Sequence, residues 1–316
     1  MKEQINDLSP DKRKENQNET TLRQSQLIIL RMLKIIDEVC RKHNINYWLD
    51  GGTLLGAVRH GGFIPWDDDV DIGMTREDYY RFLEVAPKEL PCDMFIQNLS
   101  TTEYAGNPWT QIKDRKSLIV LSEGAKYHQG LYLDIFPYDS YSSNSFKRVF
   151  CEKIFKLAYI KVQAINAPFK KPYFKKGNRL KNLIRLLLKI VFFVFAIFNH
   201  EVIYNLSLKH RKKRIEKMAS NKKANYGYGT DVLNWDFVFD YQTIFPLKSL
   251  SFEDGEFLVP GNYERFLENL YGKDYMQLPP ENKRIHHNLY IKPILTKDEE
   301  EALNKGFYYT NNPTKN

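Results

Sequence analysis

A cluster of four aspartates lies near the end of the stretch from Trp48 to Met74, which reads WLDGGTLLGAVRHGGFIPWDDDVDIGM. Only Val70 separates Asp69 from Asp71, and Ile72 follows. Residues i and i+2 of a β-strand point to the same face, so these two carboxylates are predicted to lie side by side. Adjacent carboxylates repel each other unless a cation lies between them, and hard oxygen ligands favour Mg²⁺ or Mn²⁺. The pattern therefore predicts a divalent metal site.

Two glycines, a threonine and an arginine precede this cluster and are candidates for binding phosphate. Gly51 and Gly52 leave room for backbone N–H groups to approach a phosphate, and Thr53 adds a hydroxyl donor. Arg59 lies between the glycines and the aspartates and is a candidate phosphate clamp. A solvated arginine at a helix end is an equally good interpretation of Arg59. Together with the aspartates, these residues predict a metal-and-phosphate site.

Two cations and a histidine farther along the chain are further candidates. Lys113 and Arg115 alternate in a predicted strand, so they share a face, and one of them is expected to neutralise nucleotide phosphates. The alternative is that both are ordinary exposed strand cations. His287 is a candidate for contacting substrate, although a lone histidine is more often a hydrogen-bonded structural residue.

A further carboxylate, Asp134, lies among apolar residues in the segment Leu131–Pro137. A charge in such a strand is costly unless it is paired or bound to metal. The glycine turn followed by Asp-Val-Asp-Ile resembles the signature of the nucleotidyltransferase fold, where a third carboxylate from a neighbouring strand completes the metal site. This resemblance implies that Asp134 is that group, with a satisfied buried aspartate as the alternative. Asp67 reaches the same face only if the strand begins there, whereas Asp68 has the opposite parity and is expected to be solvated or to support the ligands from behind.

The wider sequence is similar to the LicD family of phosphotransferases. The segments that carry this resemblance are Tyr47–Tyr80, Gly130–Pro137 with Asp139, Tyr271–Met276 and Pro279–Pro280. The resemblance is strong over residues 25–140 and weaker over 240–290. It implies Asp69, Asp71 and Asp134 as the catalytic residues, with Asp67 as an additional metal ligand.

The resemblance implies transfer of a phospho-alcohol group from a CDP-alcohol to a sugar hydroxyl. The leading expectation is phosphocholine from CDP-choline, transferred to a lipid-linked precursor of a surface glycan such as teichoic acid, lipopolysaccharide or capsule, with release of CMP. CDP-ribitol, used by related fukutin-type enzymes, and CDP-glycerol are alternative donors. The metal and cationic side chains would position the substrates and neutralise the charge that builds on the leaving phosphate.

Two rival functions remain open from the sequence. A nucleotidyltransferase would use the same carboxylates and release pyrophosphate instead of CMP. A membrane-associated scaffold with a degenerate site is disfavoured, because all three carboxylate positions are filled. The formal charge of +8 also raises nucleic acid as a partner. No nucleic-acid motif supports it, so the prediction is that the protein binds none.

The elements that must position these residues follow a mixed helix and strand pattern, which predicts an α/β (α+β) fold with a nucleotidyltransferase-like mixed sheet flanked by helices. The predicted helices are Leu22–His43, Leu54–Val58 and Asp78–Val85, and the predicted strands are Tyr47–Asp50, Val70–Gly73 and segments near 94–99, 109–114 and 131–136. The 316 residues, 42% of them hydrophobic, suffice for a sizeable core.

Composition along the chain predicts four regions. They are a loose N-terminal tail over residues 1–20, a catalytic core over 21–140, a mainly helical region over 141–240 and a C-terminal region over 241–316 that completes the active site. The three cysteines are widely separated, which predicts neither a zinc site nor a disulfide framework. With no secretory leader evident, the expected location is the cytoplasm.

The segment Leu183–Phe198 is apolar apart from Arg185 and Lys189, and further cations precede it. Its uninterrupted apolar run is too short for a membrane span, which needs about 20 residues. It is expected to be an interfacial helix on the inner face of the cell membrane, with a buried core helix as the alternative. A membrane location would suit a lipid-linked acceptor.

Overall fold

The structure is a computed structural model, and it describes residues 9–98, 101, 107, 109–122, 125, 127–141, 225–229, 232, 237–284 and 288–305. The chain divides into two compact units. One consists of Met1–Tyr138 with Phe239–Asn316, and the other is Asp139–Val238. Most of the second unit, including the predicted interfacial segment 183–198, lies outside the described residues.

The described chain contains both helices and strands, and its main sheet is mixed, which confirms the predicted fold class. The helices are α1 (Thr21–Lys42), α2 (Gly51–His60), α3 (Arg76–Glu89), α4 (Tyr241–Ile244), α5 (Tyr263–Tyr271) and α6 (Lys297–Asn304). The strands are β1 (Trp48–Leu49), β2 (Asp71–Thr75), β3 (Met94–Gln97), β4 (Thr110–Asp114), β5 (Leu118–Val120), β6 (Tyr132–Tyr141), β7 (Asn225–Tyr228), β8 (Val238–Asp240), β9 (Lys248–Phe252), β10 (Gly255–Val259) and β11 (Tyr290–Lys292). Each element predicted between residues 22 and 136 is present, with ends shifted by a few residues.

Local capping explains where the helices that flank the site begin. Thr20 precedes α1 and its hydroxyl accepts the N–H of Arg23 at 3.3 Å. Thr75 does the same for α3, where its hydroxyl accepts the N–H of Asp78 at 3.2 Å. Each cap satisfies a backbone donor that has no partner within the helix. One stripe of α1 is apolar and buried in the core. Its residues Ile29, Leu33 and Ile36 are fully buried.

The main sheet of the first unit runs in the order β1-β2-β6-β4-β3. The pair β2–β6 is parallel, and the other pairs along this path are antiparallel. The parallel register places Asp71 opposite Asp134, and the antiparallel register of β4 places Gln111 opposite the same Asp134. The strand that carries Asp71 therefore lies inside the sheet, between β1 and the strand that carries Asp134.

A hairpin of β9 and β10 supports the loop that leads into the aspartates. Glu253, at its turn, has a φ of 57° and donates its backbone N–H to the carbonyl of Gly61 at 2.8 Å. Its carboxylate accepts the N–H of Phe63 at 3.1 Å and pairs with Arg23 of α1 at 2.6 Å. Gln26 of α1 also reaches the loop, donating to the carbonyl of Asp67 at 2.9 Å. The hairpin and α1 thus fix the backbone that carries the acidic residues.

The N-terminal segment differs from the loose tail expected over residues 1–20. From Ser9 onward the chain is described, and Arg13 is buried. Its guanidinium pairs with the fully buried Asp114 at 2.8 Å and donates to the carbonyl of Lys116 at 3.0 Å. A tail prediction from polar composition misses this, because the contacts that hold the segment are long-range: the Arg13–Asp114 ion pair and the hydrogen bond from the Arg31 guanidinium to the carbonyl of Ser9 at 2.9 Å.

In the second unit, the Tyr141 hydroxyl donates to the carbonyl of Tyr228 in β7 at 2.6 Å. The predicted helical character of residues 141–240 stays a prediction, because little of that range is described. Across the parts of the chain that the structure does describe, no helix is both long and apolar enough to span a bilayer.

Candidate active site

The turn from β1 into α2 is built by Asp50 and Gly51. The buried Asp50 carboxylate accepts the N–H of Gly51 and the hydroxyl of Tyr138, both at 2.8 Å. Gly51 has a φ of +49°, in the left-handed region that glycine adopts without strain. A Cβ at Gly51 would lie 2.9 Å from Oδ2 of Asp71. The positive end of the helix dipole of α2 therefore lies beside a carboxylate of the site.

The two other small residues of this turn also lie against the acidic residues. A Cβ at Gly52 would lie 3.0 Å from Oδ2 of Asp67. The Thr53 hydroxyl is buried and accepts the backbone N–H of Asp71 at 2.8 Å, which fixes the start of β2. Gly51, Gly52 and Thr53 thus shape the carboxylate cluster directly. Their predicted contacts with phosphate stay predictions.

Four predicted metal ligands meet at this point. Asp67, Asp69 and Asp71 are partly exposed, and Asp134 is 6% exposed. Paired residues of adjacent parallel strands carry their side chains on one face, so the Asp71–Asp134 register puts these two carboxylates together. Oδ1 of Asp134 accepts the side-chain amide of Gln111 at 2.8 Å.

The aspartates of the cluster interact as like charges. Burial, and then the negative charges of Asp69 and Asp134, raise the pKa of Asp71 well above its usual range. Burial and the charge of Asp69 raise the pKa of Asp134 to about 7, although the hydrogen bond from Gln111 opposes this. Burial, followed by the charges of Asp69 and Asp68, raises the pKa of Asp67 as well. A divalent cation would remove this repulsion, so the cluster fits the predicted metal.

The side chain of Asp68 is less exposed than its position in the predicted strand pattern suggested. Carboxylate oxygens of Asp67, Asp68 and Asp69 all lie within 4.8 Å of one another. Asp68 is fully buried, which excludes the solvated alternative, and the other alternative, that it supports the ligands from behind, stays a prediction. Its Oδ2 accepts the side-chain amide of Asn288, and its Oδ1 has no hydrogen-bond partner. The parity rule fails because residues 67–70 precede β2 and are not yet in strand conformation.

The predicted strand cations are engaged with protein groups. Lys113 is fully buried, with its Nζ 4.4 Å from the ring centroid of Tyr132 and 3.5 Å from the carbonyl of Gly130. Burial lowers the pKa of Lys113 to about 7, and the charge of Asp134 opposes this. Arg115 lies just beyond the end of β4, where its guanidinium stacks 4.2 Å from the Phe95 ring centroid. Their roles toward phosphate stay predictions, and the alternative of two exposed strand cations does not hold for Lys113.

Arg59 connects α2 to the C-terminal segment. Its guanidinium donates to the backbone carbonyls of Tyr275 at 3.1 Å and Gln277 at 3.3 Å. The arginine is half-buried, so it is not the freely solvated helix-end residue of the alternative interpretation. Its predicted role as a phosphate clamp stays a prediction. His287 lies outside the described residues.

Several residues around the cluster were not singled out from the sequence. They are Asp50 and Tyr138 at the turn, Gln111 beside Asp134, Asn288 beside Asp68, and Tyr271 at the end of α5. Tyr271 as a whole residue is 47% exposed, yet burial of its hydroxyl and the charges of Asp71 and Asp50 raise its pKa. Asp50 had a local signal, because an aspartate directly before a helix is a common cap, and Tyr271 opens the segment Tyr271–Met276 that carries the family resemblance. The other contacts depend on long-range packing.

Comparisons with known proteins agree with this geometry. Residues 44–176 match the family model described as LicD/FKTN/FKRP, nucleotidyltransferase domain. Lipopolysaccharide cholinephosphotransferase LicD of Haemophilus influenzae is 30% identical over 281 residues, which cover 87% of this chain and 98% of that protein. Ribitol 5-phosphate transferase FKRP of Mus musculus and of Homo sapiens is 65% identical over 34 residues, or 11% of this chain and 7% of either protein.

The similarity to the Haemophilus protein extends over nearly the whole length of that protein. The fold, the paired carboxylates and this coverage point to the same assignment, which the resemblance of the sequence had already implied. The chain belongs to the LicD family and is a phosphotransferase enzyme.

Proposed function

We propose that this enzyme transfers phosphocholine from CDP-choline to a sugar hydroxyl of a cell-surface glycan precursor. The observation that carries the proposal is the 30% identity to a lipopolysaccharide cholinephosphotransferase over 98% of that protein. The acceptor would be a precursor of lipopolysaccharide, teichoic acid or capsule. In the reaction, the sugar oxygen bonds to the phosphorus next to choline, the bond from that phosphorus to the CMP oxygen breaks, and its electron pair leaves with CMP.

We propose Mg²⁺ or Mn²⁺ as the metal, held by Asp67, Asp69, Asp71 and Asp134. The donors are all carboxylate oxygens, which suit these hard cations. Burial, and then the negative charges of Asp69 and Asp134, raise the pKa of Asp71, and a cation would balance those charges. When bound, such an ion supplies charge neutralisation for the phosphate oxygens.

The chain's own residues would perform three tasks in this reaction. The N-terminus of α2, where Gly51 and Gly52 lie against the carboxylates, directs backbone N–H groups and a positive dipole toward the donor phosphates. Asp69 and Asp71 hold the phosphate-binding cation in place. Asp134 either completes the ligand set or accepts the proton of the sugar hydroxyl.

Two alternatives have specific support. The short segment that is 65% identical to ribitol 5-phosphate transferase favours CDP-ribitol as a donor, and CDP-glycerol would differ from it only in the alcohol. The family model is described as a nucleotidyltransferase domain, which favours the rival reaction that releases pyrophosphate. The released product separates these reactions.

We also propose a peripheral location on the inner face of the cell membrane. The proposed donor, CDP-choline, is a nucleotide expected in the cytoplasm, and a lipid-linked acceptor would be presented at the membrane surface. The basic and apolar composition of residues 175–198 supports this proposal from sequence alone.

The test incubates purified full-length protein and Mg²⁺ with CDP-choline, CDP-ribitol or CDP-glycerol, each with candidate lipid-linked acceptors. We expect acceptor-dependent release of CMP, fastest with CDP-choline. If CMP is released only with CDP-ribitol, the proposed type of reaction stands and the donor is CDP-ribitol. Pyrophosphate release from CTP, with no CMP from any CDP-alcohol, would replace the proposal by the nucleotidyltransferase reaction.

A further inference from the structure

Two arginines lie along the segment that follows α5. Arg59, in the last turn of α2, donates from Nη1 to the backbone carbonyls of Tyr275 at 3.1 Å and Gln277 at 3.3 Å. Arg284 donates from Nε to the carbonyl of Pro279 at 3.0 Å. Two residues of extended chain span about 7 Å at most, so both guanidinium groups are attached to the same short stretch of backbone.

The two guanidinium groups interact as like charges. Burial lowers the pKa of Arg59, and the positive charge of Arg284 adds to this effect, while Tyr271 opposes it. Within the described part of the chain, neither of these arginines forms an ion pair with a carboxylate. Arg265 of α5 shows the opposite arrangement, because its guanidinium pairs with Asp240 at 2.9 Å. Two adjacent cations without an acidic partner form a place that an anion would stabilise.

Contacts on one side of each guanidinium group fix its orientation and leave other N–H groups for a ligand. The Arg284 guanidinium stacks over the Trp66 ring, 4.9 Å from its centroid. Nε of Arg59 donates to Nε2 of His60 at 3.0 Å. Among the described residues, Nη2 of Arg59 and both terminal nitrogens of Arg284 have no hydrogen-bond partner. Both arginines are partly exposed, so a ligand from solution can reach these donors.

The arginine pair borders the acidic cluster without belonging to it. Trp66 directly precedes Asp67, and Asp67 lies against Gly52 at the start of α2. Arg59 is in the last turn of that helix, about 10 Å along the axis from Gly52 at about 1.5 Å per residue. The two phosphates of a CDP-alcohol are adjacent to each other. Their proposed place at the N-terminus of α2 therefore leaves the arginines for a separate anionic group.

We propose that Arg59 and Arg284 bind a phosphate group carried by the acceptor, apart from the donor diphosphate at the acidic cluster. The inference rests on the proposed function, because it takes a glycan precursor as the second substrate. Two guanidinium groups match the double negative charge of a phosphate better than the single charge of a sugar carboxylate. The predicted phosphate clamp at Arg59 would then act on the acceptor, and the pair would select acceptors that carry phosphate.

The first experiment measures binding of inorganic phosphate to the full-length protein in EDTA by ³¹P nuclear magnetic resonance. Without metal, the carboxylates repel phosphate from the acidic cluster, so binding reports on the arginines. We expect Arg284→Gln to weaken phosphate binding by about tenfold or more. The matched control is Arg265→Gln, because Arg265 is 57% exposed and has a carboxylate partner, and this variant should bind phosphate as the wild type does.

Each other outcome of the titration contradicts part of the proposal. A wild-type protein that binds no phosphate, or a folded Arg284→Gln variant that binds it unchanged, overturns the anion site. Acetate that displaces phosphate at equal concentration overturns the preference for phosphate. Circular dichroism verifies the fold of each variant. Arg284 is the better position for the test, because Arg59 also holds two backbone carbonyls of the C-terminal segment.

The second experiment identifies the substrate that carries the phosphate. It compares two candidate acceptors that differ only in one phosphate group. With the wild type, loss of that group should raise the acceptor KM by about tenfold, whereas Arg284→Gln should have the same raised KM for both acceptors. The KM for CDP-choline should stay unchanged in the variant. A rise confined to the KM for CDP-choline would overturn the assignment to the acceptor and place the arginines on the donor.

The two experiments separate this inference from the proposed function. If Arg284→Gln loses phosphate binding but the wild type releases no CMP from any CDP-alcohol, the anion site is supported and the proposed function fails. If the wild type releases CMP and Arg284→Gln binds phosphate unchanged, the inference fails and the proposed function stands.

Discussion

Two groups of buried carboxylates in this molecule are held in opposite ways. Asp114, at the end of β4, is fully buried and pairs with Arg13 at 2.8 Å. Asp93 is nearly as buried and pairs with Arg31 at 3.2 Å. In the acidic loop, Asp68 is as buried as Asp114, yet its described partner is the neutral amide of Asn288. Arginines of the same chain neutralise Asp114 and Asp93, whereas Asp68 contacts a neutral amide.

The pKa directions express the same difference. Burial alone would raise the pKa of Asp11, but the charge and hydrogen bonds of Arg13 lower it overall. For Asp71, burial and the neighbouring Asp69 both raise the pKa. A folded chain retains such repulsion where a ligand relieves it, so the contrast separates structural carboxylates from functional ones.

The comparison is tested most strongly by activity. Asp69→Ala and Asp71→Ala should each reduce turnover by about 10³-fold or more, because the loss of a metal clamp costs several kcal/mol of transition-state stabilisation. CMP release measures the effect, and circular dichroism verifies the fold. Asp93→Asn is the matched control and should stay active. A folded, fully active Asp71→Ala variant would exclude a metal role for this residue.

Substitutions at the arginine-paired carboxylates should instead change the stability of the protein. Arg13→Leu leaves Asp114 buried without its partner and should lower the free energy of unfolding by about 3–5 kcal/mol. Urea denaturation measures the change. Mn²⁺ affinity of the folded variant should equal that of the wild type. A large loss of affinity with little loss of stability would show that the ion-pair network belongs to the site.

The pH dependence of stability has a defined sign for the acidic group. Asp134 has a usual value of 3.8 and a folded pKa of about 7, so the native state binds more protons than the unfolded state between these values. Stability of the metal-free protein should therefore fall as pH rises from about 4 to 7, and level off above. The melting midpoint should drop by about 2–4 °C for each kcal/mol by which the free energy of unfolding falls. Excess Mn²⁺ or Asp134→Asn should flatten this slope, and an unchanged slope in Asp134→Asn contradicts the assignment.

A smaller effect is expected at the hairpin that fixes the acidic loop. Glu253→Gln weakens the contacts to Arg23 and to the N–H of Phe63, and should cost about 1 kcal/mol of stability, with turnover reduced by roughly tenfold. The adjacent Asp254 is the matched control, because its side chain is 71% exposed and Asp254→Asn should change stability by less than about 0.5 kcal/mol. Equal effects in both variants would show that the hairpin does not position the loop.

The parts of the site that sequence predicted are those that depend on local spacing. Asp71 and the apolar neighbours of Asp134 follow from strand periodicity, and the strands that carry Asp71 and Asp134 pair as expected. Asp69 joins the cluster from the loop before β2, so strand periodicity does not account for it. Asn288 and Gln111 could not be predicted, because each meets its partner only through long-range packing. The parity argument for Asp68 was wrong about solvation, since it assumed a strand where the chain is still a loop.

The surroundings of the predicted cations also could not be read from local spacing. Alternation in sequence correctly predicted a strand at Lys113, but strand parity says nothing about whether a face is covered. In the structure, Tyr132 and Gly130 enclose its ammonium. Polar composition likewise predicted a loose tail, whereas Arg13 forms a buried ion pair with Asp114 and the carbonyl of Ser9 accepts a hydrogen bond from Arg31.

The parallel register of β2 and β6 has a consequence for how this enzyme tolerates change. Asp71 and Asp134 meet because their strands are in phase, and the distance along the chain between them plays no part. Insertions in the connecting loops would leave the meeting point untouched. A single residue added within either strand would turn every side chain beyond it to the opposite face, which would break the register that brings the two acids together. Over evolutionary time, length variation should therefore accumulate between these strands and be purged from within them.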